Sequence, residues 1–312
     1  MSYARLFCHV WLTLPTMLLG AEVSAVSGDA ELTGVIGGKP VVIRTTSRLA
    51  GAIDSVRWDG VEFIDSQDHG RQLQSALNAD FAGVVHLECY NPTEAGSAAD
   101  GSGPTSSSVL ESLSFRDGTL TTRARMAYWL APGMRSGVSG QPAQNTVRVS
   151  GHVLSKRVRI GRPGMDHVLD YQVTFAVPGD HPHRFLQFEA LTGYMPPAFA
   201  QAFAYEAATE GLVPLSRENG EVSSPVVLST AAGAHAMGVF TPDRPAAGMP
   251  PVGYGRFFFT QENVAKWNCV FRLRQERPIP PGEHRFQLYV VLGTREDCRR
   301  TLAALAREFP RR

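Results

Sequence analysis

Acid and base chemistry is best placed in this chain on the segment from Arg184 to Tyr194. Gln187 and Glu189 share one face of an otherwise apolar run, which ends in Thr192, Gly193 and Tyr194. A carboxylate among phenylalanine and leucine side chains has its charged form disfavoured unless it is paired, so its pKa could rise into the range of a general acid or base. The alternative is a buried ion pair between Glu189 and one of the many arginines.

A second polar group follows the first clear hairpin, in the run from Asp68 to Gln74. In an extended conformation His69 and Arg71 point one way, and Gln72 and Gln74 point the other way. A cation beside a proton donor suits an anionic or hydroxyl-rich ligand. The alternative is an arginine that clamps a loop carboxylate.

The run from Val84 to Tyr90 alternates apolar with polar residues, which predicts a strand leading directly into Asn91 and Glu94. A polar strand face with aromatic character is typical of sugar sites, where rings stack on the sugar and carboxylates and amides take the hydroxyls. A solvated outer face would have the same pattern.

Two further places complete the candidate site. Lys266 and Asn268 flank Trp267, which is a stacking platform or, alternatively, a core residue. His152 lies where the apolar phase of the run from Thr146 to Ile160 changes, which indicates a β-bulge or a change of sheet. The candidate catalytic residues are Glu189, His69, His152 and Glu94, and the candidate binding residues are Arg71, Gln72, Gln74, Asn91, Gln187, Tyr194, Lys266, Trp267 and Asn268.

The sequence contains none of the common motifs for nucleophilic catalysis, metal binding or phosphate binding. It has no serine nucleophile elbow, no paired-histidine metalloprotease motif, no calcium loop and no glycine-rich phosphate loop, so we expect neither a metal nor a cofactor. Cys89, Cys269 and Cys298 allow one disulfide or three thiols. The 30 Lys and Arg residues nearly balance the 29 Asp and Glu residues and are scattered along the chain, so nucleic acid and anionic lipid are not expected partners.

The elements that must hold these residues are strands. Alternation of apolar and polar residues between Ala52 and Val291, broken by turns such as Asp59-Gly60, predicts an all-β protein built as a large antiparallel sandwich. One C-terminal helix is expected, with Thr294 and Asp297 as a capping box and Leu302 and Leu305 on its apolar stripe. Residues 26–312 are predicted to form a single domain.

The N-terminus predicts export. Arg5 precedes an apolar stretch from Leu6 to Leu19, and Val23-Ser24-Ala25 is a cleavage site of the signal-peptidase type. We therefore expect residues 1–25 to be a signal peptide and the mature protein to be periplasmic or extracellular, without stable insertion in a membrane. An uncleaved anchor is the alternative.

The hairpin formed by Ala52 to Trp58, Asp59-Gly60 and Val61 to Ile64 resembles the start of galactose mutarotase-like (aldose 1-epimerase-like) proteins. The resemblance implies a supersandwich with a concave sugar-binding face, on which an arginine, histidines and a glutamate act. Arg71 falls at the position of the early arginine, whereas His152 and Glu189 correspond by residue type alone. The family's glutamate usually lies late in the chain, and Glu189 is central.

These observations together predict a secreted carbohydrate-active protein of the glycoside hydrolase, lyase or epimerase type. A sugar or glycan would be its ligand. A noncatalytic glycan-binding or cell-envelope module is the alternative, and a third hypothesis is a purely structural sandwich whose polar residues form ion pairs.

Overall fold

The computed structural model describes residues 26–310. The predicted signal peptide, residues 1–25, lies outside this range. Strands dominate the described part, as the alternating pattern predicts. Within residues 26–310 the strands are β1 (Ala30–Ile36), β2 (Lys39–Thr45), β3 (Ile53–Trp58), β4 (Val61–Glu62), β5 (Leu73–Ala79), β6 (Pro92–Thr93), β7 (Val109–Arg116), β8 (Thr119–Tyr128), β9 (Val149–Arg162), β10 (Met165–Val177), β11 (Phe185–Met195), β12 (Gln201–Glu206), β13 (Gly211–Leu215), β14 (Gly220–Val222), β15 (Val226–Ser229), β16 (Ala236–Phe240), β17 (Gly253–Phe259), β18 (Val264–Arg274) and β19 (Gly282–Gly293).

The strands pair into two broad antiparallel sheets. The first has the order β7-β8-β9-β10-β19-β16-β15-β12-β13. The second has the order β1-β2-β3-β5-β11-β18-β17-β14, with β4 paired to β3. The short strand β6 pairs with β5 on one side and with β8 on the other, so it joins the two sheets.

The inner faces of the two sheets pack on each other through one large apolar cluster. Leu154 and Val173 of the first sheet belong to this cluster, together with Leu77, Phe188 and Trp267 of the second. Alternate residues along β9 and β10 are buried, as the period-two pattern requires of a strand with one face on the core. The predicted all-β sandwich is therefore confirmed.

The predicted C-terminal helix is also confirmed, as α1 (Arg295–Glu308). Thr294 and Asp297 form the reciprocal capping box, and Leu302 and Leu305 pack on the outer face of the first sheet beside Val168. α1 is 14 residues long, and no helix within residues 26–310 has the length and apolarity to cross a membrane.

The predicted strand from Val84 to Tyr90 is wrong. Phe81 and Val84 form an isolated bridge around a tight turn, in which Ala82 and Gly83 have φ of 51° and 84°. Glu88 follows with φ of 70°, and its backbone N–H donates to the Asn78 side chain at 3.2 Å. Local side-chain hydrogen bonds replace the strand ladder here, although the residues alternate in polarity.

The phase change near His152 corresponds to a β-bulge, as predicted. Between β8 and β9 the register places Arg125 opposite Val153 and Ala127 opposite Val149, so β9 has two extra residues in this interval. His152 points inward and is 1% exposed.

A buried ion pair joins the two layers next to β6. Lys156 on β9 is fully buried and forms an ion pair with Glu94, which is 1% exposed. Glu94 also accepts a hydrogen bond from the Ser75 backbone N–H at 3.0 Å, and Lys156 donates to the Gly51 carbonyl at 3.1 Å. Glu94 therefore lies inside the sandwich and not on an open surface.

Removing one partner of this pair leaves the other charge buried and uncompensated. We expect Lys156→Met to lower the free energy of unfolding by about 3–5 kcal/mol, and the double variant with Glu94→Gln to recover most of that loss. Urea unfolding measures both. Lys39→Met is the control, because the exposed Lys39–Asp59 ion pair contributes at most about 1 kcal/mol. Equal losses for Lys156→Met and Lys39→Met would contradict the structural role.

Candidate functional site

An open cleft of about 150 Å³ lies on the outer face of the second sheet, beside its junction with β6. Strands β5, β11 and β18 form its floor, and the segments around β6 and after β8 form its wall. The side chains that matter for its chemistry are those of Gln74, Glu88, Asn91, Trp129, Glu189, Tyr194 and Lys266.

The strand register explains why these side chains meet. Thr192 on β11 lies opposite Asn268 on β18 and Gln74 on β5, and Tyr194 lies opposite Lys266. Directly opposed residues of antiparallel strands place their side chains on the same face of the sheet. Residues that are far apart in sequence therefore line one surface.

A β-bulge in β11 brings Glu189 and Thr192 together. Glu189 pairs with Val270 and Leu191 pairs with Cys269, so Ala190 is an extra residue. In a regular strand, residues three apart point to opposite faces. The bulge moves both side chains to the outer face, where the Thr192 hydroxyl donates to Glu189 Oε2 at 2.9 Å.

Glu189 is paired with a lysine and not with an arginine. Lys266 Nζ lies 3.0 Å from Glu189 Oε2, and the Asn268 amide donates to the same oxygen at 3.4 Å. The Glu189 side chain is 16% exposed and the Lys266 side chain 12% exposed. Burial by itself would raise the pKa of Glu189, but the Lys266 charge and the hydrogen bonds to the carboxylate outweigh burial and hold that pKa below its usual value. The rise in pKa expected for an unpaired carboxylate does not occur.

Lys266 is charged as well. Its ammonium lies 5.2 Å from the ring centroid of Tyr194 and 5.3 Å from that of Phe257. Burial opposes the charged form, yet the Glu189 carboxylate raises the pKa of Lys266 well above its usual value. The cleft therefore presents a carboxylate and an ammonium at neutral pH.

Two of the seven side chains named above, those of Trp129 and Glu88, were not among the candidate site residues of the sequence. Trp129 directly follows β8, and Gly70 allows its close approach, since a Cβ at position 70 would lie 2.7 Å from the indole ring. Glu88 reaches the cleft from the turn that replaces the predicted strand, and it accepts a hydrogen bond from Ser136 at 2.6 Å. The sequence feature that could have indicated Trp129 is its position: it is an aromatic residue just after β8, in step with the residues of β8 that point outward.

Five of the sequence-predicted residues line this cleft together. They are Gln74, Asn91, Glu189, Tyr194 and Lys266. Asn268 contacts Glu189 from β18. Gln187 lies further along β11, where it accepts a hydrogen bond from Arg272 at 2.9 Å. Trp267 is fully buried in the core under Gly193, which was the alternative considered for it.

The side chains of His69, Arg71 and Gln72 bond to groups of the surrounding loops and do not line the cleft. The His69 ring is buried, with Nδ1 at 2.7 Å from the Gly101 carbonyl and Nε2 at 2.9 Å from the Arg48 carbonyl. Arg71 pairs with Asp68 at 3.0 Å, and the buried Gln72 donates to the Asp68 carbonyl. Arg71 therefore holds a carboxylate of its own loop, which was the alternative to a ligand-binding role.

His152 lies in a buried cluster of rings, away from the cleft. Its centroid is 6.1 Å from that of Tyr90 and 6.3 Å from that of His183, and neither ring nitrogen has a hydrogen-bond partner within residues 26–310. Burial, followed by the proximity of His183 and His181, lowers the pKa of His152 to about 3. The neutral imidazole is therefore the folded form.

This buried imidazole predicts a loss of stability in acid. The unfolded chain binds a proton at His152 near pH 6.5, whereas the folded chain does not until about pH 3, so stability is retained above pH 6.5 and falls between these values. We expect His152→Phe to reduce the slope of unfolding free energy against pH in this window by up to about 1.4 kcal/mol per pH unit. Urea unfolding at a series of pH values measures the slope. His86→Gln, a half-buried histidine in a turn, is the control, and an unchanged slope in His152→Phe would contradict the prediction.

Cys89, Cys269 and Cys298 are all buried, and no disulfide joins any two of them. Within residues 26–310 no group of three or more histidine, cysteine or acidic side chains has an arrangement that could hold a metal ion.

No family model matches the chain, and no curated protein sequence matches it. Solved structures do. The Slr1438 protein from Synechocystis sp. PCC 6803 is 10% identical, with 87% of this chain and 99% of that chain covered and a TM-score of 0.43. A candidate aldose 1-epimerase from Klebsiella pneumoniae is 9% identical, with 87% and 84% covered and a TM-score of 0.41.

An α-galactosidase from Lactobacillus brevis is 8% identical, with 92% of this chain covered and a TM-score of 0.45. This chain spans only 42% of that enzyme's length. The TM-scores of all three structures are below 0.5, so these are distant likenesses.

Proposed function

We propose that this protein is an exported carbohydrate-active protein that binds a sugar in the cleft on the second sheet, with Glu189 as the base that moves a proton on the bound sugar. One observation carries the proposal: Glu189 and Lys266 converge with Gln74, Asn91 and Trp129 in one cleft that is open to solvent.

The lining suits a sugar in both shape and polarity. The Trp129 ring offers an apolar face for the C–H face of a sugar, and the Gln74 and Asn91 amides bond hydroxyl groups. About 150 Å³ is small beside the roughly 300–1,000 Å³ of pockets that enclose drug-sized ligands, so one sugar unit enters and the remainder of a glycan stays outside.

The charges define what each residue does. Glu189 is deprotonated and accepts a proton from a hydroxyl or an acidified C–H group, and Lys266 stabilises the negative charge that develops on the sugar oxygen nearby. Glu88 supplies a second carboxylate in the same cleft. Ring opening and β-elimination both begin with removal of a proton by such a base.

Glu189→Gln tests the catalytic part of the proposal. The amide keeps the shape of the side chain but cannot accept the proton, so we expect turnover to fall by about 10²-fold or more while sugar affinity changes by less than about tenfold. Polarimetry of aldoses, reducing-end release and the absorbance of unsaturated products measure turnover on a panel of sugars and polysaccharides.

Glu221→Gln is the matched control, because Glu221 forms a bidentate ion pair with Arg272 on the same sheet face, outside the cleft. Equal effects of the two substitutions on turnover would overturn the role of Glu189.

A noncatalytic glycan-binding module is the second candidate. It is favoured by the tight Glu189–Lys266 ion pair and by the lining of the cleft, in which the described residues include no histidine to donate a proton near neutral pH. In this case the wild-type protein binds sugar without turnover, and Glu189→Gln leaves binding within about tenfold of the wild type.

Export is the remaining part of the proposal, and it is supported by the charged, apolar and small-residue regions of residues 1–25. We expect the full chain expressed in a Gram-negative bacterium to appear in the periplasm or medium with a new N-terminus after Ala25. N-terminal sequencing of the fractions measures this. Retention of Met1 on cytoplasmic protein would contradict it.

A further inference from the structure

The outer face of the first sheet carries arginines that lie far apart in sequence but close together in the fold. Arg159 on β9 lies between Thr119 on β8 and Asp170 on β10. Two residues along the strand, Arg157 lies between Thr121 and Gln172. Side chains two apart on a strand and directly opposed on neighbouring strands share a face, so these residues form one continuous surface.

This arginine face extends beyond β9. All of its arginines are exposed. Lys156 and Val158, which flank Arg157 on β9 and point to the other face, are fully buried. α1 covers a different part of the same face, over Val168 and Val291. The exposed arginines of the face are Arg116 on β7, Arg123 and Arg125 on β8, Arg157 and Arg159 on β9, and Arg285 on β19.

The arginines of the face differ in whether they form ion pairs within the protein. Glu111 pairs with both Arg123 and Arg125, at 2.9 Å and 3.3 Å. Arg157 and Arg159 form no ion pair with any residue of the described part, 26–310.

Asp170 is the carboxylate opposite Arg159, and it accepts a hydrogen bond from the Gln287 amide at 2.7 Å. An external anion therefore meets two guanidinium groups that have no carboxylate partner in the described chain.

A cleft of about 140 Å³ lies between these arginines. It is lined by Thr119, Arg157, Arg159, Asp170, Gln172 and Gln287. Guanidinium groups bind carboxylates and sulfates in bidentate fashion, and threonine hydroxyls and glutamine amides bond sugar hydroxyls. The lining thus offers partners for both kinds of group on an acidic sugar.

We propose that the arginine face is a second binding site, for an anionic polysaccharide whose units carry carboxylate or sulfate groups. The described lining of the cleft contains no aromatic side chain on which a base could stack, which disfavours single-stranded nucleic acid. The site is separate from the Glu189 cleft, since it lies on the other sheet and uses none of the same residues.

The test compares two double variants that remove the same charge. Arg157→Ser/Arg159→Ser changes the arginine face, and Arg300→Ser/Arg307→Ser removes two arginines, each 62% exposed, from α1. Binding of heparin and polygalacturonate is measured by titration calorimetry at several salt concentrations. Neutral dextran and double-stranded DNA are the comparison ligands.

We expect the wild type to bind at least one of the two anionic polysaccharides, not to bind dextran, and to bind more weakly as salt increases. The Arg157→Ser/Arg159→Ser variant should lose at least about tenfold in affinity, because charge-assisted contacts disappear, while the α1 variant keeps affinity within about threefold. The midpoint of thermal unfolding should shift by at most about 4 °C in either variant, since all four arginines are on the surface.

Three results would overturn the proposal: no binding of either anionic polysaccharide, an equal loss in the two double variants, or DNA binding of equal strength with the same dependence on Arg157 and Arg159. Glu189→Gln should leave this binding unchanged. Failure at the arginine face is therefore distinguishable from failure of the proposed sugar cleft.

Discussion

Antiparallel pairing places directly opposed side chains on the same face of a sheet, and both polar faces of this protein follow from that constraint. On the second sheet it aligns Tyr194 with Lys266 and Thr192 with Asn268. On the first sheet it aligns Arg159 with Asp170 and Arg157 with Gln172. A shift of one residue in either register would turn these groups into the core. The bulge at Ala190 is a departure from this rule, and it adds Glu189 to the surface that holds Thr192.

A second pair of charged residues, Glu94 and Lys156, lies in the interior of the sandwich. Glu94 and Lys156 are removed from water at the junction of the two sheets, and each charge is compensated by the other and by backbone groups of Ser75 and Gly51. Such a pair adds little net stability relative to apolar residues of the same size, but it opposes any arrangement that leaves one of the two charges alone. We infer that it helps to set how β6 and β9 approach each other.

The Glu189–Lys266 pair differs from the interior pair mainly in its access to solvent. Both charged groups border an open cleft, so a ligand can replace or share their hydrogen bonds without opening the fold. The low pKa of Glu189 makes it a base or a hydrogen-bond acceptor and not an acid. Lys266, in place of the arginine that was the alternative, supplies a compact charge with three N–H donors.

The sequence by itself determined the class of fold and the C-terminal helix, because alternation, turn residues and the Thr294–Asp297 capping box are local patterns. It also identified Glu189, Gln74, Asn91, Tyr194 and Lys266 as polar residues at breaks in the strand pattern, and the structure places all five in one cleft.

The tertiary structure decided which of the remaining polar residues are open and which are buried. Glu94, His69 and His152 have sequence surroundings like those of the cleft residues, yet long-range packing against Lys156, Gly101 and His183 encloses them. The same long-range pairing decided the charge pattern, since arginines scattered over the sequence are neighbours only after β7, β8, β9 and β19 have found their register. The residues of a strand specify which side chains share a face, but the strands and loops around it determine whether that face is buried or open to solvent.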